Sequence, residues 1–161
     1  MVDPRQHRDP GASACGREKR GQTQEALGRS AGGFSTKIHA AVDALGNPVR
    51  LVVTEGQEAD FTQAEPTIRA HRADAYMGDK GYDSDKVIKA ARRRGARAII
   101  PPRKNRKVAR EYDKHTYKER VKVEWFFSLL KQYRRVATRY DKTKHDFLAF
   151  VHVASVMILL R

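Results

Sequence analysis

Apolar residues alternate with other residues in two neighbouring stretches of the chain. The alternating apolar positions are Ile38, Ala40 and Val42 in the first stretch and Val49, Leu51 and Val53 in the second. Period-two spacing is typical of β-strands, because successive side chains point to opposite faces of a sheet. Gly46, Asn47 and Pro48 separate the stretches with residues that favour turns. The pattern therefore predicts a β-hairpin.

Beyond the hairpin, segments with helical spacing alternate with short strand-like segments. Four segments repeat their apolar residues at helical spacing and predict helices at Ala59–Arg72, Asp83–Gly95, Tyr117–Tyr133 and His145–Leu160. Two short segments predict strands at Asp74–Gly78 and Arg97–Ile100. The order ββαβαβαα predicts an α/β fold, an α+β mixed sheet with helices packed on its faces. The last helix is apolar nearly all round, so we expect it to be buried.

The first 33 residues lack both periodicities. They are rich in Gly, Arg, Gln, Ser, Asp and Pro, a composition that builds no packed core. The sequence therefore predicts a disordered or extended segment at 1–33, followed by one ordered domain at 34–161. A single domain also agrees with the length of 161 residues.

Four polar residues share one face of the helix predicted at Tyr117–Tyr133. At about 100° per residue, Arg120, Glu124 and Lys131 all fall within roughly 60° of Tyr117. The opposite face is apolar, so the stripe places a carboxylate between an arginine and a lysine on a helix that packs into the core. One interpretation is a stripe that carries a catalytic carboxylate. The alternative is a surface stripe of i,i+4 salt bridges.

Asp79 is the second candidate carboxylate, because it directly follows the predicted strand Asp74–Gly78. The end of such a strand is where mixed sheets commonly bind ligands, and Gly78 and Gly81 allow a ligand to approach the backbone. The alternative is an aspartate that caps a helix or closes a turn. That alternative suits Asp83 better than Asp79.

Two carboxylates on different elements of a basic protein suggest a divalent-metal site that acts on phosphate. Carboxylate oxygens suit Mg²⁺ or Mn²⁺. In two-metal phosphoryl transfer, one ion activates the attacking oxygen and the other stabilises the leaving oxygen. This chemistry usually uses three or more acidic ligands, and the sequence offers two good ones, Asp79 and Glu124.

Positive charge dominates the chain, with 33 Lys and Arg against 19 Asp and Glu and a formal net charge of +14. This excess indicates a polyanionic partner, most simply nucleic acid. Residues 89–110 contain ten basic residues and no acidic one. The alternative is a solvated face, but the position of this segment between the candidate carboxylates favours phosphate binding. The DNA contacts predicted here are Arg103, Lys104, Arg106 and Lys107.

The remaining pattern disfavours several classes of protein. The longest apolar run, at 147–160, is shorter than the roughly 20 residues of a bilayer span, and no secretory signal is visible. The single cysteine, Cys15, can form neither an internal disulfide nor a cysteine-based zinc site. We therefore expect a cytoplasmic protein that binds no membrane.

A set of ordered motifs connects the chain to a known family. The spacing Tyr117-x2-Arg120-x3-Glu124-x6-Lys131 is one of them. The others lie at Gly32–His39, Val42–Pro48, Gly78–Asp83, Ile100–Arg103 and Arg139–Lys142. Together they resemble the bacterial insertion-sequence DDE transposases of the insertion-sequence-four/five type, in which the first spacing is the third acidic motif. The resemblance covers about 28–161.

The resemblance implies an RNase H-like catalytic core for DNA transposition. It implies Asp79 as the second catalytic Asp and Glu124 as the third catalytic acid, both binding Mg²⁺ or Mn²⁺. Arg120 and Lys131 would contact phosphates near the cleaved DNA end, and Tyr117 would support that surface. The implied reaction is hydrolysis at the transposon end, followed by attack of the freed 3′-hydroxyl on target DNA. Transposon-end and target DNA in the bacterial nucleoid are the implied partners, bound by a homo-oligomer.

The chain departs from the family at its N-terminus. The family carries its first catalytic Asp on the first strand, in a stretch resembling Asp-Ser-Thr-x-x-Arg-Ala-His that is missing here. Asp3 and Asp9 are each followed by Pro, so neither is a convincing replacement. The helical DNA-binding region that precedes the core in the family is also missing. The sequence therefore predicts a core that lacks its first strand and is catalytically incomplete alone.

A shift of reading frame explains this departure. Codons permitted for Met1–Ser13, read one nucleotide later, encode Trp-Leu-Ile-His-Asp-Ser-Thr-Val-Ile-Arg-Ala-His-Gln, which resembles the missing motif. Our hypothesis is that 1–19 are translated out of frame in a truncated transposase. One alternative is a non-catalytic DNA-binding remnant of a transposase. Another is a basic RNA-binding protein, which would leave the Glu124 stripe unexplained.

Overall fold

The computed structural model describes residues 6–8, 26, 28–30, 33–106 and 110–161. The strands are β1 (Gln6–Arg8), β2 (Gly28–Ser30), β3 (Gly33–Val42), β4 (Pro48–Glu55), β5 (Ala75–Met77) and β6 (Arg97–Ile99). The α-helices are α1 (Ala64–Ala70), α2 (Asp85–Arg93), α3 (Lys114–Tyr117), α4 (Val121–Leu130), α5 (Arg134–Ala137) and α6 (Lys144–Leu159). Turns of 3₁₀ helix lie at Asp60–Gln63, Lys80–Tyr82 and Lys118–Arg120.

Strand β3 is the centre of the larger sheet. It pairs antiparallel with β1, β2 and β4, and its pairing with β4 sets Ile38 opposite Val53. Strands β5 and β6 form a second, parallel sheet with Met77 opposite Ile99. Among the described residues, the two sheets share no hydrogen-bonded ladder. The arrangement is a mixed α/β architecture, as the order of predicted elements indicated, but the described strands form two small sheets where one mixed sheet was predicted.

Local chemistry explains the turn between β3 and β4. The Asp43 carboxylate accepts hydrogen bonds from the backbone N–H of Leu45 at 2.8 Å and of Asn47 at 2.9 Å. Gly46 has a φ of 95°, a left-handed conformation that glycine adopts without steric cost. The chain therefore reverses here, and the predicted β-hairpin is confirmed.

Two apolar clusters hold the sheets and helices together. The larger joins β3 and β4 to α4 and α6 and includes Ile38, Val53, Phe126, Leu130, Phe147 and Val151. The smaller packs α1 and α2 around the turn after β5 and includes Ile68, Tyr82, Val87 and Ile100. Both segments that carry a candidate carboxylate therefore rest on a packed core. Asp79 lies beside buried Tyr82, and Glu124 lies beside buried Val123.

The predicted helices are found with shifted bounds. The segment at 59–72 divides into a 3₁₀ turn and α1, and the segment at 117–133 begins earlier, at Lys114. Asp113 explains this earlier start, because its carboxylate accepts from the backbone N–H of His115 and of Thr116, each at 3.0 Å. The short helix α5 was not predicted.

The prediction that the last helix is buried all round is wrong. Helix α6 buries Phe147 and Val151, but Val153, Val156 and Met157 on its other side are more than half exposed. The physical reason is that one side of α6 packs on the β3–β4 sheet and α4, while no described element covers the other side. No helix in the described ranges is both long and apolar enough to cross a membrane.

The segment 1–33 lies largely outside the described residues. Its described part comprises β1, β2, Ala26 and the first residue of β3. Asp3, Asp9 and Cys15 are not described. The division into segments 1–33 and 34–161, the out-of-frame origin of 1–19 and the loss of the first strand therefore stay predictions.

Candidate functional site

Asp79 lies where the sequence analysis expected it, two residues after β5. Its carboxylate Oδ1 accepts a hydrogen bond from the backbone N–H of Gly81 at 2.7 Å, which caps the 3₁₀ turn Lys80–Tyr82. Tyr82 anchors the turn, because its side chain is only 1% exposed. A Cβ at position 81 would lie 2.9 Å from Asp79 Oδ1. Glycine therefore allows the carboxylate to fold back over the turn.

A second carboxylate, which the sequence analysis missed, lies beside this turn. A Cβ at position 81 would also lie 3.3 Å from Oδ2 of Asp60. The carboxylates of Asp60 and Asp79 therefore both lie next to Gly81. Lys37 holds Asp60, because its Nζ donates to Asp60 Oδ1 at 2.9 Å and to Glu58 O at 2.8 Å. Lys37 is 8% exposed. The available signal in the sequence was a lysine within the alternating pattern of β3, but this pattern does not identify Asp60 as its partner.

The polar stripe on the long helix is present, and its centre is an ion pair. Nη2 of Arg120 lies 2.6 Å from Oε1 of Glu124, one turn apart. The Arg120 guanidinium also lies 5.6 Å from the centre of the Tyr117 ring. Tyr117 in turn packs edge-on against Tyr112, with ring centres 5.4 Å apart. The i,i+4 salt bridge, which was the alternative interpretation of the stripe, is therefore present. It does not separate Arg120 and Glu124 from Tyr117.

The charges of both predicted catalytic carboxylates act on Tyr117. Burial raises the pKa of the Tyr117 hydroxyl, Arg120 lowers it, and the negative charges of Asp79 and Glu124 raise it. Both carboxylates therefore influence the same hydroxyl electrostatically, although 45 positions of sequence separate them.

Lys131 lies at the other end of helix α4. It is the C-terminal capping residue of the helix, and its side chain is exposed. Seven residues separate it from Glu124, about two helical turns or roughly 10 Å of rise. Its side chain therefore lies in solvent and not in the core.

The predicted DNA-contact residues of the basic loop differ in their surroundings. Lys104 is exposed. The Arg103 guanidinium is also exposed and donates to Lys80 O at 3.1 Å and Gly81 O at 2.8 Å. Arg106 is instead bound by two carboxylates, Asp83 at 2.7 Å and also Asp85. Lys107 lies outside the described residues.

The ligand chemistry of the site fits a hard divalent cation, but only in part. Asp79 and Glu124 offer carboxylate oxygens, and Mg²⁺ is often held by one or two carboxylates together with water and substrate phosphate. Within residues 6–8, 26, 28–30, 33–106 and 110–161, no group of three or more His, Cys, Asp or Glu side chains could hold a metal ion. A metal ion held by Asp79 and Glu124 would therefore need further ligands.

Known proteins resemble the chain over most of its length. The family model described as "Transposase DDE domain" matches residues 10–159. A Brucella ovis protein assigned as a transposase for insertion sequence element IS6501 is 39% identical over 130 residues, which are 80% of this chain and 100% of the relative. A Burkholderia cepacia protein assigned as a transposase for insertion sequence element IS402 is 28% identical over 135 residues, 76% of this chain and 62% of the relative.

Proposed function

The chain belongs to the transposase DDE domain family, and on that premise we propose that it is the catalytic-core portion of an insertion-sequence transposase. The family acts in DNA transposition, and membership implies an RNase H-like fold. The proposed activity is Mg²⁺-dependent hydrolysis of a phosphodiester at the transposon end, followed by strand transfer to target DNA. We further propose that the chain binds both DNAs as a homo-oligomer in the bacterial cytoplasm.

The family match over residues 10–159 carries this proposal, supported by the position of Asp79 after β5 and by the grouping of Glu124 with Arg120 and Tyr117. We assign both carboxylates as catalytic residues that hold Mg²⁺ or Mn²⁺. A metal ion bound there would supply Lewis-acid activation of the phosphodiester. In this proposal Arg120 leaves its ion pair with Glu124 and turns to a DNA phosphate, while Tyr117 supports the guanidinium through the ring contact at 5.6 Å.

Charge supports DNA as the partner. Arg103, Lys104 and Lys131 are exposed cations, and Arg103 also contacts the turn that follows Asp79. Lys and Arg that neutralise about six phosphates would give a slope near −5 in a plot of log affinity against log salt. We propose these side chains as phosphate contacts, with Lys107 as a further contact of the same loop. Arg106 belongs to this loop, but its guanidinium is bound by Asp83 and Asp85.

A second candidate function is a DNA-binding remnant without catalysis. The observation in its favour is that the described residues hold no group of three acidic or metal-binding side chains. In this proposal the first catalytic Asp is lost with the out-of-frame segment 1–19, so the chain binds DNA but does not cut it. A product read in the restored frame would then carry the activity.

The test compares two chains on the same DNA. One is the 161-residue chain, and the other is a frame-restored chain in which residues 1–19 are replaced by their shifted-frame translation, which begins Trp-Leu-Ile-His-Asp-Ser-Thr-Val-Ile-Arg-Ala-His-Gln. The substrate is a labelled duplex that carries the end of the element, taken from the DNA around the gene. We expect both chains to bind with a steep salt dependence, and only the frame-restored chain to nick the duplex with Mg²⁺.

A Glu124→Gln variant of each chain is the control. It should abolish nicking by the frame-restored chain and leave DNA binding intact, because the substitution removes a metal ligand but no cation. Nicking that persists in the variant contradicts the assignment of Glu124. A chain that fails to bind DNA at low salt contradicts both proposed functions, and preferential binding to RNA favours an accessory RNA-binding protein.

A further inference from the structure

Three arginines of the basic segment converge on one buried carboxylate. The Asp83 side chain is 1% exposed and accepts from Arg106 Nη1 at 2.7 Å and from Arg110 Nη2 at 3.0 Å. It also accepts from the backbone N–H of Arg103 at 2.8 Å. These bonds span 20 to 27 residues of sequence. Asp83 therefore fastens both ends of the described part of the loop, Arg103–Arg106 and Arg110.

The same contacts lay the loop against the turn that Asp79 begins. The Arg103 side chain donates to the carbonyl oxygens of Lys80 and Gly81, the two residues that follow Asp79. The backbone N–H of Asp83 closes that turn on Lys80 O at 3.2 Å. One carboxylate thus connects the turn of a proposed catalytic residue to the start of the basic loop.

The hydrogen bonds of Asp83 are strong enough to outweigh its burial. Burial opposes ionisation of this carboxyl group, but the bonds from Arg103 N–H, Arg110 and Arg106 lower its pKa overall. Hydrogen bonds between ionised partners are shorter and stronger than neutral ones. The neighbouring Asp85 also contacts Arg106, but its side chain is 73% exposed. Only the buried member of this pair can hold the loop firmly.

We propose that Asp83 is a positioning residue for DNA binding. It fixes the basic loop so that the exposed cations Arg103 and Lys104 meet a backbone phosphate beside Asp79. Arg106 and Arg110 hold the loop in place through their ion pairs with Asp83. The inference rests on the proposed DNA-binding function and assigns separate roles to cations that the sequence pattern treats alike.

The sign of a charge change tests this inference. Asp83→Asn and Asp85→Asn each remove one negative charge at nearly the same place, so simple electrostatics predicts slightly tighter DNA binding in both. Positioning by Asp83 predicts the opposite for Asp83→Asn alone. We expect its affinity for a labelled duplex to fall about tenfold and its salt slope to decrease by about one, the loss of one phosphate contact. Asp83→Glu should restore part of the affinity.

Limited trypsin digestion provides an independent measurement on the same proteins. Cleavage after Arg103, Lys104 or Arg106 should become faster in Asp83→Asn than in the parent chain and in Asp85→Asn, since the loop loses its anchor. Thermal melting, with circular dichroism, establishes that each variant is folded. If both Asn variants bind DNA equally well or more tightly than the parent, the inference is wrong. If the parent itself binds no DNA, the proposed function is wrong instead.

A second pair of variants covers the case in which Asp83→Asn does not fold. Arg106→Gln and Lys104→Gln each remove one positive charge from the loop. The positioning role predicts faster trypsin cleavage only for Arg106→Gln, whose partner is the buried Asp83. It predicts weaker binding for both variants, through a loosened loop in one and a lost phosphate contact in the other. Equal and unchanged cleavage in both variants contradicts the inference.

Discussion

The two proposed catalytic carboxylates are held by very different surroundings. The turn of Asp79 is flanked by Asp83, with its side chain 1% exposed, and by Lys37, which is 8% exposed. Glu124 lies on a helix face and pairs with Arg120, and these side chains are 34% and 27% exposed. One half of the site is therefore built from buried, multiply bonded ions, and the other half from one partly exposed ion pair.

This difference teaches which half of the site can adjust. Exposed ion pairs contribute at most about 1 kcal/mol, so Arg120 can exchange Glu124 for a phosphate at small cost. Breaking a buried pair by removing one partner costs several-fold more, because a charge is left without compensation. We therefore expect the Asp79 half to stay fixed while the Glu124 half rearranges around substrate. We expect the effect on stability to decrease from acid through Lys37→Met and Gly81→Ala to Glu124→Gln.

The largest effect should come from acid, acting on β3, the strand that carries Lys37. Burial lowers the pKa of His39 from 6.5 to about 4, with Lys37 adding to this shift and Glu58 opposing it. Because the folded-state pKa is lowered, the unfolded chain takes up the proton first. The contribution of neutral His39 to the free energy of unfolding is fully present above pH 6.5. It is lost as the pH drops towards 4, by about 3 kcal/mol in all. Urea denaturation at pH 7.5, 6 and 5 measures this loss.

A His39→Gln variant is the control for this pH dependence. It should be less stable at pH 7.5, since it replaces a buried side chain that bonds Thr54 at 2.8 Å, but its stability should change little between pH 7.5 and 5. Hydrogen exchange should locate the loosening of the parent chain in β3 and β4. If hydrogen exchange in α4 increases equally at pH 5, the contrast between the Asp79 half and the Glu124 half of the site is wrong.

Removal of the Lys37 ammonium should have the next largest effect. Lys37→Met leaves the Asp60 carboxylate beside Asp79 without its cation, and we expect a loss of about 2 kcal/mol because both side chains are mostly buried. Adding Asp60→Asn to Lys37→Met should recover about half of that loss, since no uncompensated charge remains. Chemical denaturation of the two single variants and the double variant measures the coupling. Additive losses would show that the two side chains do not act as a pair.

A methyl group at position 81 should act directly on Asp79. In Gly81→Ala the new Cβ would lie 2.9 Å from Asp79 Oδ1, so the carboxylate must rotate away and lose its bond to the backbone N–H. The expected loss is about 1 kcal/mol, one hydrogen bond. In an Asp79→Ala background the same substitution should cost almost nothing. A similar cost in both backgrounds would mean that the clash involves another group.

The sequence predicts the helical half of the site well and the turn half poorly. Tyr117, Arg120 and Glu124 are grouped by helical periodicity alone, which is a local property. The partners of Asp83 lie 20 to 27 residues away, and Asp60 lies 23 residues from Lys37, so their pairing depends on how β3, β5 and the basic loop pack. The exposed side of α6 has the same cause, because hydrophobicity alone does not reveal which neighbours a helix receives.

The smallest effect on stability should come from Glu124→Gln. It breaks only a half-exposed i,i+4 pair with Arg120, which is worth about 0.5 kcal/mol or less. Glu119→Gln is a matched control, because Glu119 pairs with Lys122 next to the same helix and is more exposed. Glu124→Gln should unfold within about 0.5 kcal/mol of the parent chain in urea, and Glu119→Gln should unfold like the parent chain. Only Glu124→Gln should abolish nicking by the frame-restored chain, because a carboxylate kept for chemistry contributes little to folding. A loss of 2 kcal/mol or more in Glu124→Gln would instead make Glu124 a structural residue, and the contrast between the two halves of the site would fail.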